Sequence, residues 1–188
     1  QKICETSRKQ LVKYGAAVSL GAFVWGEQAQ GEVIYTQLDP PVIVETEDHF
    51  AFDFNRDGKL DAAVISTGLN VQIRSFGLNS TLTPFPNAYY VGAFEAGVAL
   101  SKQTIRSMRG YDIAANANYN FVGNDRYIGF RFKIAGNDHF AWARVDIPAT
   151  DLQEVIVYGY AYESKKDTPI ITGDIPEPST LSLLAKPF

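Results

Sequence analysis

Apolar residues along this chain recur mainly at period two, in short runs broken by turn residues. Glu32–Thr36 and Val42–Thr46 are rich in β-branched residues, and Asp39-Pro40-Pro41 separates them as a strong breaker. Phe50-Ala51-Phe52-Asp53-Phe54 alternates aromatic with small or polar residues ahead of an Asn55–Gly58 turn, and Ala62–Ser66 resumes an extended pattern. Val71–Phe76 alternates cleanly. The clearest hairpin joins Tyr127–Ile134 to His139–Ile147 through Ala135-Gly136-Asn137-Asp138, with Phe130, Phe132, Ile134, Phe140 and Trp142 in apolar register. Val155–Tyr162 supplies a last strand. Between them, Tyr89–Val91 reads as a strand, Gly92–Leu100 as an irregular small-residue stretch, Ser101–Met108 as a short helix or strand, and Asn116–Asn120 as a turn-rich segment.

These runs predict about eight to ten strands, with no long 3.6-period helix over 32–165 and no internal repeat. The fold class expected is all-β: one antiparallel β-sandwich, jelly-roll-like. A closed barrel shares the same alternation.

The two ends follow other rules. Arg8, Lys9 and Lys13 precede the short apolar run Tyr14–Val24, and Ala29-Gln30-Gly31 places small residues where a signal peptidase cuts, which makes Glu32 the first mature residue. The run is short for a bilayer span; a buried or amphipathic helix is the alternative. At the far end, a polar connector from Thr168 to Ile175 leads into Pro176-Glu177-Pro178-Ser179-Thr180-Leu181-Ser182-Leu183-Leu184-Ala185. The expected organisation is a signal peptide over 1–31, a sandwich over 32–165, and a linker with sorting tail over 166–188.

That string resembles the sorting signal of bacterial PEP-CTERM proteins, in which Pro-Glu-Pro precedes a membrane helix and a basic tail. The segments Tyr127–Phe132, His139–Val145 and Gly159–Glu163 also look like the body of such proteins. The likeness covers roughly the C-terminal third. It departs from the pattern after Ala185, where Leu181–Ala185 is far short of a span and no Arg-rich tail follows. A truncated signal, a degenerate one and an ordinary stiff tail are the readings left open. The resemblance implies export, processing by an exosortase-type enzyme, an envelope or extracellular location, and association with exopolysaccharide or biofilm matrix.

Composition narrows the chemistry. The 188 residues carry a formal charge of −4; without residues 1–31 they hold 13 basic and 19 acidic residues, a formal −6. An acidic chain lacks the basic face that phosphate neutralisation needs, so nucleic acid is not an expected partner. The single cysteine, Cys4, lies within the signal segment, and two histidines, His49 and His139, cannot build a His-rich metal centre.

One constellation suits a hard cation. Asp53, Asn55, Asp57 and Asp61 stand at positions 1, 3, 5 and 9 of a calcium-type loop, Gly58 at position 6 allows the sharp turn, and Lys59 offers its carbonyl at position 7. Position 12 is Val64 rather than a bidentate Glu, and strands flank the loop, so it is not a helix-loop-helix sensor. A structural calcium ion pinning the turn is the expectation, against a plain Asp-Gly turn using the same residues. A second group, His139, Trp142, Tyr158, Tyr160 and Tyr162, is a candidate carbohydrate-stacking face beside Arg144, although Trp142 shares parity with Phe140 and also reads as core. No spacing singles out a catalytic pair or triad, so the expectation is a non-enzyme. The leading functional reading is an exported matrix protein, self-associating through unprotected strand edges. The alternative is a calcium-stabilised carbohydrate-binding module.

Overall fold

The structure, a computed structural model, describes residues 31–67, 70–83, 91–103, 106–108, 111–115, 123–148 and 154–176. All of them belong to one unit, Gly31–Phe188. Residues 1–30 of the expected signal segment, Tyr89 and Tyr90 of the expected 89–91 strand, and the Asn116–Asn120 turn lie outside the described residues.

Twelve strands and no helix are present among the described residues: β1 (Val33–Val44), β2 (His49–Phe52), β3 (Ala62–Ser66), β4 (Val71–Ser75), β5 (Ser80–Thr83), β6 (Ala99–Leu100), β7 (Arg106–Met108), β8 (Tyr111–Ala115), β9 (Gly123–Ile134), β10 (Asn137–Ile147), β11 (Val155–Glu163) and β12 (Ile170–Ile171). They form a six-stranded sheet in the order β1-β11-β10-β9-β5-β7, a four-stranded sheet β2-β3-β4-β8, and the short pair β12-β6. The described pairings are antiparallel, and the two larger sheets pack face to face as an all-β sandwich.

The inter-sheet core follows from the period-two pattern. Phe52, Val64, Val71 and Ile73 of the small sheet meet Ile128, Phe130, Phe132, Ala141, Ala143, Val145, Val157 and Tyr160 of the large one. Phe52 and Phe54 stack at 5.5 Å, and Phe54 also lies 5.1 Å from both Phe130 and Phe132. Burying each phenyl ring contributes about 2–3 kcal/mol from the apolar area withdrawn from water.

The large sheet is apolar on its other face as well. Phe140, Trp142, Tyr127, Leu82 and Ala161 are covered there by Phe94, Leu100 and Ile170, so the 94–100 segment and β12 act as a flap. Gly129 permits the close approach: a Cβ there would meet Phe94 at 3.0 Å and Leu82 and Leu100 at 3.2 Å. Thr172 latches the flap, donating its hydroxyl to the Glu95 carbonyl at 2.6 Å and accepting from Val98 N at 2.9 Å.

Two local expectations are corrected. The runs on either side of Asp39-Pro40-Pro41 form one strand, with a register shift between Gln37 and Val42. The prolines are tolerated because β1 is an edge strand, whose outer side needs no N–H donors. The long hairpin turns on two residues rather than four: Ala135 and Gly136 have φ of 49° and 82°, the geometry of a primed turn that matches strand twist. Asn137 and Asp138 therefore begin β10, opposite Ile134 and Lys133.

Candidate functional site

The Asp53–Asp61 segment is the tight connection between β2 and β3, closed at its base by Asp61 N donating to the Phe52 carbonyl at 2.8 Å. Its carboxylates fold the loop on itself. Asp53 accepts from Asp57 N at 3.1 Å and from Gly58 N at 2.8 Å; Asn55 Oδ1 accepts from Asp57 N at 3.3 Å; Asp57 Oδ1 accepts from Lys59 N at 2.9 Å. Gly58 sits at φ 83°, as the loop pattern requires, and Arg56, at φ 57°, reaches back to Thr36 Oγ1 at 3.2 Å.

Asp61 stands apart from the half-buried Asp53 and the exposed Asp57, being only 7% exposed. One carboxylate oxygen accepts from Phe54 N at 3.0 Å and the other from Asn79 Nδ2 at 3.0 Å. Burial pushes its pKa up to about 6; these hydrogen bonds oppose the rise, and the charges of Asp53 and Asp57 add to it. Three like charges crowd one loop, and a divalent cation would relieve them. Among the described residues, however, no three acidic, His or Cys side chains are gathered as a ready metal cluster. The donor set suits calcium by chemical type, while its carboxylates are engaged with loop N–H groups.

Asn79 went unrecognised in the sequence. Its amide donates to both the carbonyl and the carboxylate of Asp61, at 3.2 and 3.0 Å, and its Oδ1 accepts from Lys133 N of β9 at 3.0 Å. It thus clips the loop at the start of β3 to the opposite sheet. No motif marks such a residue, because its partners lie 18 and 54 positions away.

The candidate stacking face does not form. Tyr160 and Tyr162 point into the inter-sheet core, whereas Trp142, 1% exposed, points into the flap core on the opposite side of the sheet. His139 is buried, its Nδ1 2.9 Å from the Glu163 carbonyl. Tyr158 sits at the β10–β11 register shift; it donates to Asp146 Oδ2 at 2.7 Å, which raises its pKa, and lies 4.8 Å beneath the Arg144 guanidinium. The bulge and the strand alternation send these five side chains to different surfaces.

A charged knot holds the hairpin to its neighbours. Asp138, 6% exposed, meets Lys102 Nζ at 2.6 Å and Lys133 Nζ at 2.5 Å, and Lys102 also meets Asp167 at 2.5 Å. Burial works to raise the pKa of Asp138, but its lysine hydrogen bonds outweigh burial and hold it below the usual carboxylate value.

Of the sorting string, Pro176 is described and exposed; Glu177 and Pro178 lie outside the described residues. Among the described residues no helix is long and apolar enough to cross a membrane. Compared with known proteins, the chain matches no family model, no curated protein and no solved structure.

Proposed function

We propose that this chain is an exported, non-enzymatic bacterial surface or matrix protein, directed by a PEP-CTERM-type signal to an exosortase-like processing enzyme and associated with exopolysaccharide. The observation that carries the reading is the change from packing to exposure that leads up to the Pro-Glu-Pro string. Thr172 is fully packed as the flap latch, and within four residues Asp174, Ile175 and Pro176 are exposed. A processing enzyme would meet the first residue of the Pro-Glu-Pro string, Pro176, at the surface. At the other end, Glu32 exchanges hydrogen bonds with Ser164, 2.9 Å to its Oγ and 3.0 Å from its N–H, so a chain beginning at Glu32 keeps its first anchoring contact. A non-catalytic role is supported by the use of His139 and Asp138 in packing and strand anchoring.

Self-association through strand edges remains part of the proposal. On β1 it is confined to stretches either side of Pro40 and Pro41, which offer a partner strand no donors. The deciding experiment is intact-mass analysis of protein recovered from its native envelope or medium. A species starting at Glu32 and ending near Pro176 is expected. A mass retaining both residues 1–31 and Phe188 overturns the reading.

The second reading, a calcium-stabilised module, is favoured by the crowded charge at Asp61. Asp53, Asn55, Asp57, the Lys59 carbonyl and Asp61 would hold the ion, which would pin the β2–β3 turn by binding its oxygens together. Thermal melting at neutral pH with excess calcium, against chelator, tests it: a higher melting temperature is expected from linkage, and an unchanged one sinks it.

A further inference from the structure

The outer face of the four-stranded sheet, turned away from the core, carries an open cleft of about 310 Å³. Its floor is set by small residues. Ala51 of β2 and Ala63 of β3 are directly paired, and Arg74 of β4 is the next partner across, so two neighbouring methyl side chains leave a dip in the sheet. Leu60, 53% exposed on the Asp53–Asp61 loop, and Phe76 border it together with Ile65 and His49. Glu47 and Asp48 supply carboxylates to the lining, and the Arg74 guanidinium lies 5.4 Å from the Phe76 ring centroid.

We propose that this cleft binds one ring of an uncharged saccharide. The volume is at the small end for a ligand pocket, enough for a ring rather than a buried chain. Ala51 and the Leu60 and Phe76 side chains offer apolar surface to the C–H face of a pyranose, while Ala63, 1% exposed, sets the depth of the dip beneath them. The carboxylates of Glu47 and Asp48 accept from ring-edge hydroxyls, and Arg74 donates to them. Two carboxylates against one guanidinium, on an acidic chain, repel a polyanion. A wholly apolar ligand would leave the charged lining desolvated and unpaired. The inference deepens the matrix reading by naming a ligand class and site, and rests on that reading for the source of the sugar.

The test is titration of the protein, in calcium-containing buffer, with cello-, laminari-, manno- and chito-oligosaccharides, followed by calorimetry and backbone amide NMR, with dextran sulfate as the anionic comparator. Saturable binding to at least one neutral oligosaccharide is expected, with shifts centred on Ala51, Ala63, Arg74 and Phe76. Ala63→Leu, which fills the dip, should weaken it about tenfold or more; Arg74→Ala gives a second variant that leaves the floor unaltered. Ile43→Ser, on the edge strand of the other sheet and 51% exposed, should bind as the parent does. No saturable binding by any neutral oligosaccharide, a preference for dextran sulfate, or binding that survives both cleft variants overturns the proposal. Intact-mass data separate the failures: absent binding with processing at both termini rejects the cleft alone, and binding by a chain that is never exported rejects the matrix role alone.

Discussion

Replacing Asn79 by alanine isolates the clip between the sheets. The side chain makes three hydrogen bonds, two to Asp61 and one from the Lys133 amide. Truncation leaves a carboxylate oxygen of a residue 7% exposed and a strand N–H without their partner. Leaving a buried polar group unsatisfied costs about 1–3 kcal/mol. Two such groups, one of them partly rescued by water at the open loop, give an expected loss of about 2–4 kcal/mol. For a unit of this size that lowers the melting temperature by about 5–12 °C. Urea denaturation read by tryptophan fluorescence measures the free energy directly, and Leu78→Ala, one residue away and 63% exposed, is the control, expected within about 0.5 kcal/mol of the parent. Asn79→Asp should cost at least as much as Asn79→Ala at neutral pH, because it sets a second carboxylate against Asp61. A loss for Asn79→Ala indistinguishable from that for Leu78→Ala would refute the reasoning: the contacts would then be incidental to holding the sheets.

The remaining predictions concern the core, the hairpin turn and the loop acid. Phe54→Ala, removing the ring that packs against Phe52, Phe130 and Phe132, should cost about 3–5 kcal/mol by denaturant titration; under 1 kcal/mol would mean the core is not shared by both sheets. Ala135→Gly or Ala135→Asn relieves a side chain held at φ 49° and should stabilise by about 0.5–1 kcal/mol, whereas a loss would place strain elsewhere. In chelator, Asp61, with its pKa pushed up from 3.8 to about 6, binds its proton more tightly folded than unfolded. Its contribution is thus fully present below pH 3.8 and lost as the pH rises through about 6. The stability of the parent relative to Asp61→Asn should therefore fall by about 1–2 kcal/mol between pH 4 and 7.5, allowing for solvent screening in the loop; a flat difference would contradict the assigned environment.

Period-two alternation was enough to read the longer strands, while β5, β8 and β12 carried no such signal. Phe50–Phe54, Val71–Phe76 and the 127–147 hairpin each repeat their apolar side chains at the spacing of a half-buried strand, and side-chain parity is a local property of the backbone. Local chemistry likewise showed the Asp53–Asp61 loop as a turn with oxygen donors, since glycine and Asx geometry depend on neighbours a few positions away. Parity could not say what lies across from each face. Trp142 and Tyr160 belong to opposite faces because Trp142 is paired with Ala161 and Tyr160 with the neighbouring Ala143, and the flap that covers Trp142 comes from residues 94–100 and 170. Asn79 became a clip, Ala51 and Ala63 a cleft floor, and Asp61 a buried acid only when distant segments were brought together. The sequence by itself determined the all-β class, the longer strands and the turn chemistry. Tertiary structure alone decided which side chains share a surface, because strand order, register and the second apolar layer are set by long-range packing that no local pattern encodes.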